Sequence, residues 1–321
     1  MCAATQSTVR PADAAAIRDA ADLLRDGHLV AFPTETVYGL GADATNGRAV
    51  ARIFAAKQRP RFNPLIVHVR DQAQAETLAL FNATARTLSR AFWPGALTLV
   101  LPRRHDCHLS ALVSAGLDTV ALRVPAHPIA ARLLAAAAIP IAAPSANASG
   151  AISATTADHV RQGLNGKVDL ILDGGATPLG LESTVVGFQN DAPVLLRPGA
   201  VARSEIELLV GPLAAPRDHA IQSPGQLDSH YAPRGSVRLN AVSVKASEAL
   251  LAFGPNAPKG ARTSVNLSQT ADLNEAAANL FAMLHELDAS GLPIAVMPIP
   301  QQGLGEAIND RLQRAAAPRV R

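Results

Sequence analysis

The sequence predicts an α/β protein, with a large domain on a buried, twisted sheet followed by a smaller αβ unit. Three observations support this. The 321 residues are 48% hydrophobic, 17% charged and only 3% aromatic, which suits a soluble globular chain with a core of Ala, Leu, Val and Ile. Short apolar runs are mixed with segments of helical periodicity. A proline-rich stretch after residue 210 separates this pattern from a second one. The intervals are too irregular for a doubly wound sheet, and no internal repeat is visible.

Residues 12–25 place apolar side chains at helical spacing and run up to Gly27, which suits a helix C-terminus. Residues 28–33 form an apolar strand. Residues 48–57 read as a helix that Pro60 keeps from continuing far. Residues 65–69 follow as a strand, 71–80 and 84–92 as helices, and Pro94-Gly95 as a break. Residues 97–101 and 119–124 are strands. Residues 128–138 are an Ala/Leu helix with proline in its first turn, where it is tolerated. Residues 141–143 lead into the turn-rich PSANASG. Residues 169–172, 183–188 and 194–197 read as strands, and Ser204 can cap a helix running to residue 210. Residues 211–234 hold Pro212, Pro216, Pro224 and Pro233 with little periodicity and read as a linker. Beyond it, residues 237–239, 250–253 and 294–297 are strands. Leu273, Ala277, Leu280, Leu284 and Leu287 line one helix face, and residues 305–316 form a closing helix. The expected division is 1–210, a linker 211–234, and a small C-terminal αβ domain 235–321.

The formal net charge is +3 and the sequence pI about 9.2. A nucleic-acid binder gathers its cations on one face, whereas here they are scattered. The densest group, Arg311, Arg314, Arg319 and Arg321, reads as a solvated helix tail. Cys2 and Cys107 have no CxxC partner, which argues against a disulfide framework and a zinc site. MCAATQSTVR lacks the charged start and apolar core of a signal peptide. The apolar run 133–143 is too short to span a bilayer and is broken by Pro140. A cytoplasmic protein without a membrane partner is expected.

GxxxxGK[ST], GxGxxG, HExxH and GxSxG are all absent. What remains is a set of separated polar clusters. Lys57 and Arg59 flank one residue, followed by Pro60 and Pro64; they suit a polyphosphate grip or a solvated charge pair. His68 lies in LIVHV, where it is structural or points into a pocket at the strand end. Arg123 lies in VALRVP and needs an anion, either a protein carboxylate or a ligand. Ser145, Asn147, Ser149, Gly150 and Ser153 can present N–H groups to phosphate or ribose, or form a plain Asx/Ser turn. Glu182-Ser183-Thr184 and Arg197-Pro198-Gly199 put polar tips on apolar strands, and Tyr231 ends the linker, closing over a ligand or docking it. Together these residues indicate a cation-lined, hydroxyl-rich pocket for an anionic small molecule.

The segments FPTETVYGLGADA, KQRPRFNPLIVHV, FWPGALTLVL, TVALRVP, PSANASG, LESTVVGF and LLRPGAV occur in this order, followed by SPGQLDSHYAP and GEAINDRLQRAA. From about His28 onward the chain resembles the YrdC-like family, specifically its long form, the threonylcarbamoyl-AMP synthases with a C-terminal domain. The resemblance implies a twisted mixed α/β sheet around a large cationic cavity, plus a small Rossmann-like domain. It implies that L-threonine, bicarbonate and ATP give threonylcarbamoyl-AMP and pyrophosphate, and that a downstream transferase complex uses the product to modify tRNA beside the anticodon. Carried over by motif, L-threonine would lie against Thr36, His68, Arg123, the backbone near Ala143, and Ser183. ATP would contact Arg59, Asn63, Thr119, Ser145, Ser153, Arg197 and Tyr231. Lys57 and Arg59 would be the catalytic pair, stabilising charge rather than acting as a general base. The substrate carboxylate would then be the anion for Arg123. Mg²⁺ would accompany the phosphates, with no carboxylate cage or metal site in the chain. Residues 211–234 are expected to lie over the cavity mouth. Two alternatives stand: a non-catalytic double-stranded RNA-binding module, for which weak RNA binding would suffice, and a carbamoyl-phosphate-using maturation enzyme, which would usually add zinc-finger cysteines.

Overall fold

The computed structural model describes residues 7–215 and 230–318. Strand β1 (Thr8–Pro11) leads into α1 (Ala14–Arg25), where Asp13 caps the N-terminus by accepting from Ala16 N at 2.7 Å. Strands β2 (Val30–Pro33) and β3 (Tyr38–Asp43) form an antiparallel pair. Helix α2 (Gly47–Lys57) is capped by Asn46 and stops where Gln58 turns left-handed at φ 53°. There follow β4 (Ile66–His68), α3 (Gln72–Leu78), α4 (Ala83–Phe92), β5 (Leu97–Pro102), β6 (Thr119–Arg123), α5 (Pro128–Ala137) and β7 (Ile141–Ala142). Next come α6 (Ala157–Leu164), β8 (Leu170–Asp173), β9 (Thr184–Gln189), β10 (Ala192–Arg197) and α7 (Arg203–Val210). The second unit comprises β11 (Val237–Arg238), β12 (Ala249–Ala252), β13 (Thr263–Asn266), α8 (Leu273–Ala289), β14 (Ile294–Val296) and α9 (Gly305–Ala316).

The first unit is a ten-stranded mixed sheet in the order β1-β8-β2-β3-β7-β4-β6-β5-β9-β10. The second is a four-stranded sheet, β11-β14-β12-β13, with every pairing parallel. The architecture is thus the expected mixed α/β sheet with a small second αβ sheet.

Strand alternation divides the side chains of the large sheet between two faces. Ala31, Val67, Leu99 and Leu122 belong to the largest core, which includes residues of α2, α3, α4, α6 and α7. On the other face, Val30, Phe32 and Leu172 pack against α1 and α5. Further along that face, Ile66, Val100, Ala121, Val185, Val194 and Leu196 form a small cluster that contains no helix residue. This part of the sheet, left without a helix, is where the polar residues gather.

Several elements depart from expectation. Strands β1, β3 and β13 and helix α6 were not anticipated. Gly39 and Gly41 interrupt the side-chain pattern of β3, and α6 is only eight residues long with Gly163 near its end. Helix α7 starts at Arg203 rather than after a Ser204 cap, and the Glu205 carboxylate accepts from Ala202 N at 2.9 Å. The supposed solvated tail is wrong at Arg311, whose surface is 0% exposed; Arg319 and Arg321 lie outside the described residues. So do Cys2 and residues 216–229, which make up most of the expected lid. Among the described residues, no helix is long and apolar enough to cross a membrane.

Candidate active site

The polar residues meet at one end of the large sheet because its topology brings the right strand termini together. Strands β4 and β6 are parallel, with His68 in register with Arg123, so both side chains project to the same face at the strand ends. Strand β3 begins beside the end of β7, and an isolated bridge pairs Gly39 with Ser145. Strand β9 begins after Ser183, next to the start of β5, and antiparallel β10 ends there at Arg197. The result is a cleft. Of the residues singled out from sequence, Thr36, Arg59, His68, Arg123, Ala143, Ser145, Ser183, Arg197 and Tyr231 line it, with Glu182 and His230 beside them.

At the Arg123 end the charge is already paired. Arg123 Nη2 donates to Glu35 Oε1 at 2.6 Å, Nη1 to Thr36 Oγ1 at 2.9 Å and Nε to Gly95 O at 3.1 Å. Glu35 thus gives Arg123 a protein carboxylate, one of the two anions that the sequence left open. Those bonds account for three of a guanidinium's five N–H groups, leaving an N–H on each terminal nitrogen. Burial alone would raise the Glu35 carboxyl, but Arg123 outweighs it and holds it below the usual range. The turn before β3 folds locally, as Thr34 Oγ1 donates to Val37 O at 2.7 Å and accepts from the N–H groups of Thr36 and Val37. His68 packs edge-on against Phe32, and its Nδ1 is buried without a partner among the described residues. Burial, aided by Arg123, depresses its pKa well below the ordinary value, so the imidazole is neutral near pH 7.

Lys57 does not line the cleft. Its buried ammonium donates to the carbonyls of Ser145 and Asn147, and its own carbonyl accepts from Ser149 N at 2.8 Å. Lys57 is therefore the centre around which the PSANASG turn is wrapped, not a cation projecting into solvent. Arg59 reaches the cleft and is braced by Asn63, through Nη2 to Oδ1 at 2.7 Å and Nε to the carbonyl at 3.2 Å, and by Pro64 O at 2.9 Å. Burial lowers its pKa to about 10, which leaves it charged at neutral pH. Asn63 thus stands behind Arg59 rather than in the cleft.

Arg197 Nη2 donates to Ser183 O at 2.7 Å, and Ser183 Oγ lies 2.7 Å from Thr98 Oγ1. A Cβ on Gly199 would sit 2.4 Å from the backbone of Ser183 and Thr184, so this close approach requires glycine. Ser153 is fully buried and donates to Glu182 Oε1 at 2.6 Å. Thr119 is not brought to the cleft. It starts β6, four residues from Arg123 and so roughly 13 Å along the strand, and lines a separate groove with Leu80, Phe81, Val100 and Phe188. Sequence reasoning did not pair Glu35 or Glu182 with an arginine; the signal available was that buried arginines need carboxylates.

Among the described residues no group of three His, Cys, Asp or Glu could hold a metal ion. The two carboxylates nearest the cleft are engaged by Arg123 and Arg311. The described residues do not build a site for Mg²⁺.

The buried histidines give a pH prediction. His230 is depressed to about 3 and His159 to about 4, chiefly by burial, and His68 and His285 are lowered too. A folded-state pKa below the unfolded value means that the unfolded chain binds more protons in between, so stability falls as pH drops below about 6.5. A fully buried neutral histidine such as His230 costs about 1.4 kcal/mol per pH unit across that window. Tm is expected to be flat just above pH 6.5 and to fall by several degrees by pH 5, as read by circular dichroism. A Tm that rises on acidification over this range contradicts the burial of these rings.

Two family models together match most of the chain. Sua5_yciO_yrdC, described as "Telomere recombination", matches residues 22–199. Sua5_C, described as "Threonylcarbamoyl-AMP synthase, C-terminal domain", matches residues 201–317. A threonylcarbamoyl-AMP synthase of Bacillus subtilis (strain 168) is 42% identical, the match covering 95% of this chain and 94% of that protein. One of Pyrococcus abyssi (strain GE5 / Orsay) is 41% identical, covering 95% of each. The crystal structure of P. abyssi Sua5 complexed with L-threonine matches with a TM-score of 0.88 at 38% identity, over 97% of this chain and 96% of that one.

Proposed function

The chain belongs to the Sua5/YciO/YrdC family, in its long form with a threonylcarbamoyl-AMP synthase C-terminal domain, and from that premise we propose that it makes threonylcarbamoyl-AMP. L-Threonine, bicarbonate and ATP are the substrates and pyrophosphate leaves. The register pairing of His68 with Arg123 beside Thr36, in one cleft with Ser145, Ser183 and Arg197, carries this reading.

The threonine carboxylate takes the free N–H groups of Arg123, whose plane is set by Glu35, Thr36 and Gly95. Neutral His68 and the hydroxyls of Thr36 and Ser183 receive the amine and hydroxyl, with the Ala143 backbone as the wall between. The amine condenses with bicarbonate, losing water, to give a carbamate. A carbamate oxygen attacks the α-phosphorus of ATP, the bond to the β-phosphate oxygen breaks, and pyrophosphate departs. Arg59 and Arg197 face the phosphates and stabilise the charge that develops there. Lys57, Asn63 and Ser153 position this end from behind, and Tyr231 closes it. Thr119 contacts the nucleotide only if the ligand extends down the face of β6. Mg²⁺ arrives with ATP as part of the substrate, and the cleft as a whole is electropositive. The product supplies a transferase complex that modifies tRNA. We divide the chain into 1–210, a linker 211–234 acting as a lid, and 235–321. The RNA-binding alternative is not favoured, because relatives matched along nearly their whole length are named synthases.

Pyrophosphate release tests this reading. Release from ATP is expected only when both L-threonine and bicarbonate are present, and D-threonine is expected to be a poor replacement. Release that is independent of threonine contradicts it.

A further inference from the structure

We propose that Arg311, on α9 of the second unit, is a positioning residue for the nucleotide end of the cleft. The second unit then acts on the reaction through a buried guanidinium. The inference rests on the synthase reading above and names a residue outside the large sheet that this reading needs.

Arg311 is fully buried, and its Nε donates to Glu182 Oε2 at 2.8 Å. The other oxygen of that carboxylate accepts from Ser153 Oγ at 2.6 Å. Glu182 precedes Ser183, whose carbonyl and hydroxyl take Arg197 Nη2. One arginine from α9 thus anchors the carboxylate from which Ser153, Ser183 and Arg197 take their places. The same guanidinium lies 5.2 Å from the centre of the Tyr231 ring, and Phe281 of α8 stacks on that ring at 5.4 Å. Asp310 holds Arg311 Nη1 at 2.6 Å.

The packing repeats the pattern. Val37, Ile152 and Leu181 belong to the core of the second unit, with Leu280, Phe281, Ile308 and Leu312. Each adjoins a residue of the site: Thr36, Ser153 and Glu182. At Gly180, with φ +65°, a Cβ would lie 2.3 Å from Ala278 O of α8, so the Glu182 loop is pressed directly against that helix. Arg311 Nη2 is buried without a partner among the described residues. An apolar side chain of the same volume would avoid that cost, so filling space does not by itself account for a guanidinium here. Of the threonine-end residues, Glu35, Thr36, His68 and Arg123 have no hydrogen bond to Arg311 among the described residues; Ser183, next to Glu182 in the chain, is shared by the two ends.

Steady-state pyrophosphate release from the full chain, with KM for ATP and for L-threonine measured separately, tests the proposal. Arg311→Met is expected to raise KM for ATP at least ten-fold while KM for L-threonine stays within three-fold. Arg311→Met combined with Glu182→Gln removes both charges and is expected to recover part of that loss. Arg311→Lys keeps the charge but not the planar fork, and is expected to show the same split at smaller size; it decides the matter if Arg311→Met does not fold. An unchanged KM for ATP, an equal rise in both KM values, or a double variant no better than Arg311→Met overturns the proposal. A wild-type chain that releases no pyrophosphate with threonine and bicarbonate would instead overturn the synthase reading.

Discussion

Replacing Glu35 by Ala is expected to cost roughly 3–5 kcal/mol of stability, the usual penalty for breaking a buried ion pair from one side, and to weaken L-threonine binding at least 100-fold. The side chains of Glu35 and Arg123 are only 10% and 4% exposed, so water cannot replace the lost partner. Glu35 Oε2 also accepts from Ala126 N at 3.0 Å, so the carboxylate ties the turn after β2 to the loop after β6 as well as pairing the charge. Without it, Arg123 keeps Thr36 and Gly95 but loses the bond that sets its plane. Glu35→Gln retains an acceptor without the charge and should fall between wild type and Glu35→Ala. Urea unfolding and calorimetric titration with L-threonine read the two effects independently. Unfolding energies within 1 kcal/mol of wild type, with unchanged affinity, contradict a structural anion at this position.

Lys57→Ala is expected to lower pyrophosphate release at least 100-fold while L-threonine affinity stays within about three-fold. The cause lies in the turn, because the carbonyls of Ser145 and Asn147 both accept from Lys57 Nζ; without it the Ser145 carbonyl keeps only Asn147 N, and the Asn147 carbonyl is a buried acceptor that has lost its donor. Hydrogen exchange of the ligand-free protein separates this from a direct phosphate grip. If Lys57 builds the turn, amides 145–149 exchange faster in Lys57→Ala before any nucleotide is added. If Lys57 only grips phosphate, their exchange without ligand matches wild type. Lys57→Arg is not expected to rescue, since a planar fork cannot replace a compact ammonium between two converging carbonyls.

Much of the sheet was legible in the sequence because its strands are continuous apolar runs and its helices carry caps. Strand β3 was not, since Gly39 and Gly41 make YGLGAD look like a turn, although all six residues are buried. Single polar residues inside apolar strands, His68 and Arg123, were readable as candidates. Their adjacency was not, because it follows from β4 and β6 pairing in parallel register. The partner of Arg123 was not legible although Glu35 stands beside Thr36 in FPTETVYGLGADA; choosing between a protein and a ligand anion needs geometry. Lys57 and Arg59 look equivalent in KQR, yet one faces inward to the turn and the other lines the cleft, a difference set by the left-handed Gln58 between them. Arg311 was misread because a helix near the chain end with several arginines resembles a solvated surface, and only packing against the first unit shows its inward face.

The most direct measurement follows the carbon of bicarbonate. When the chain is incubated with ATP, L-threonine and isotopically labelled bicarbonate, the expected result is label in one adenylate with the mass of threonylcarbamoyl-AMP, formed in equal amount with pyrophosphate. An adenylate that lacks the labelled carbon, or no labelled adenylate at all, contradicts the assignment.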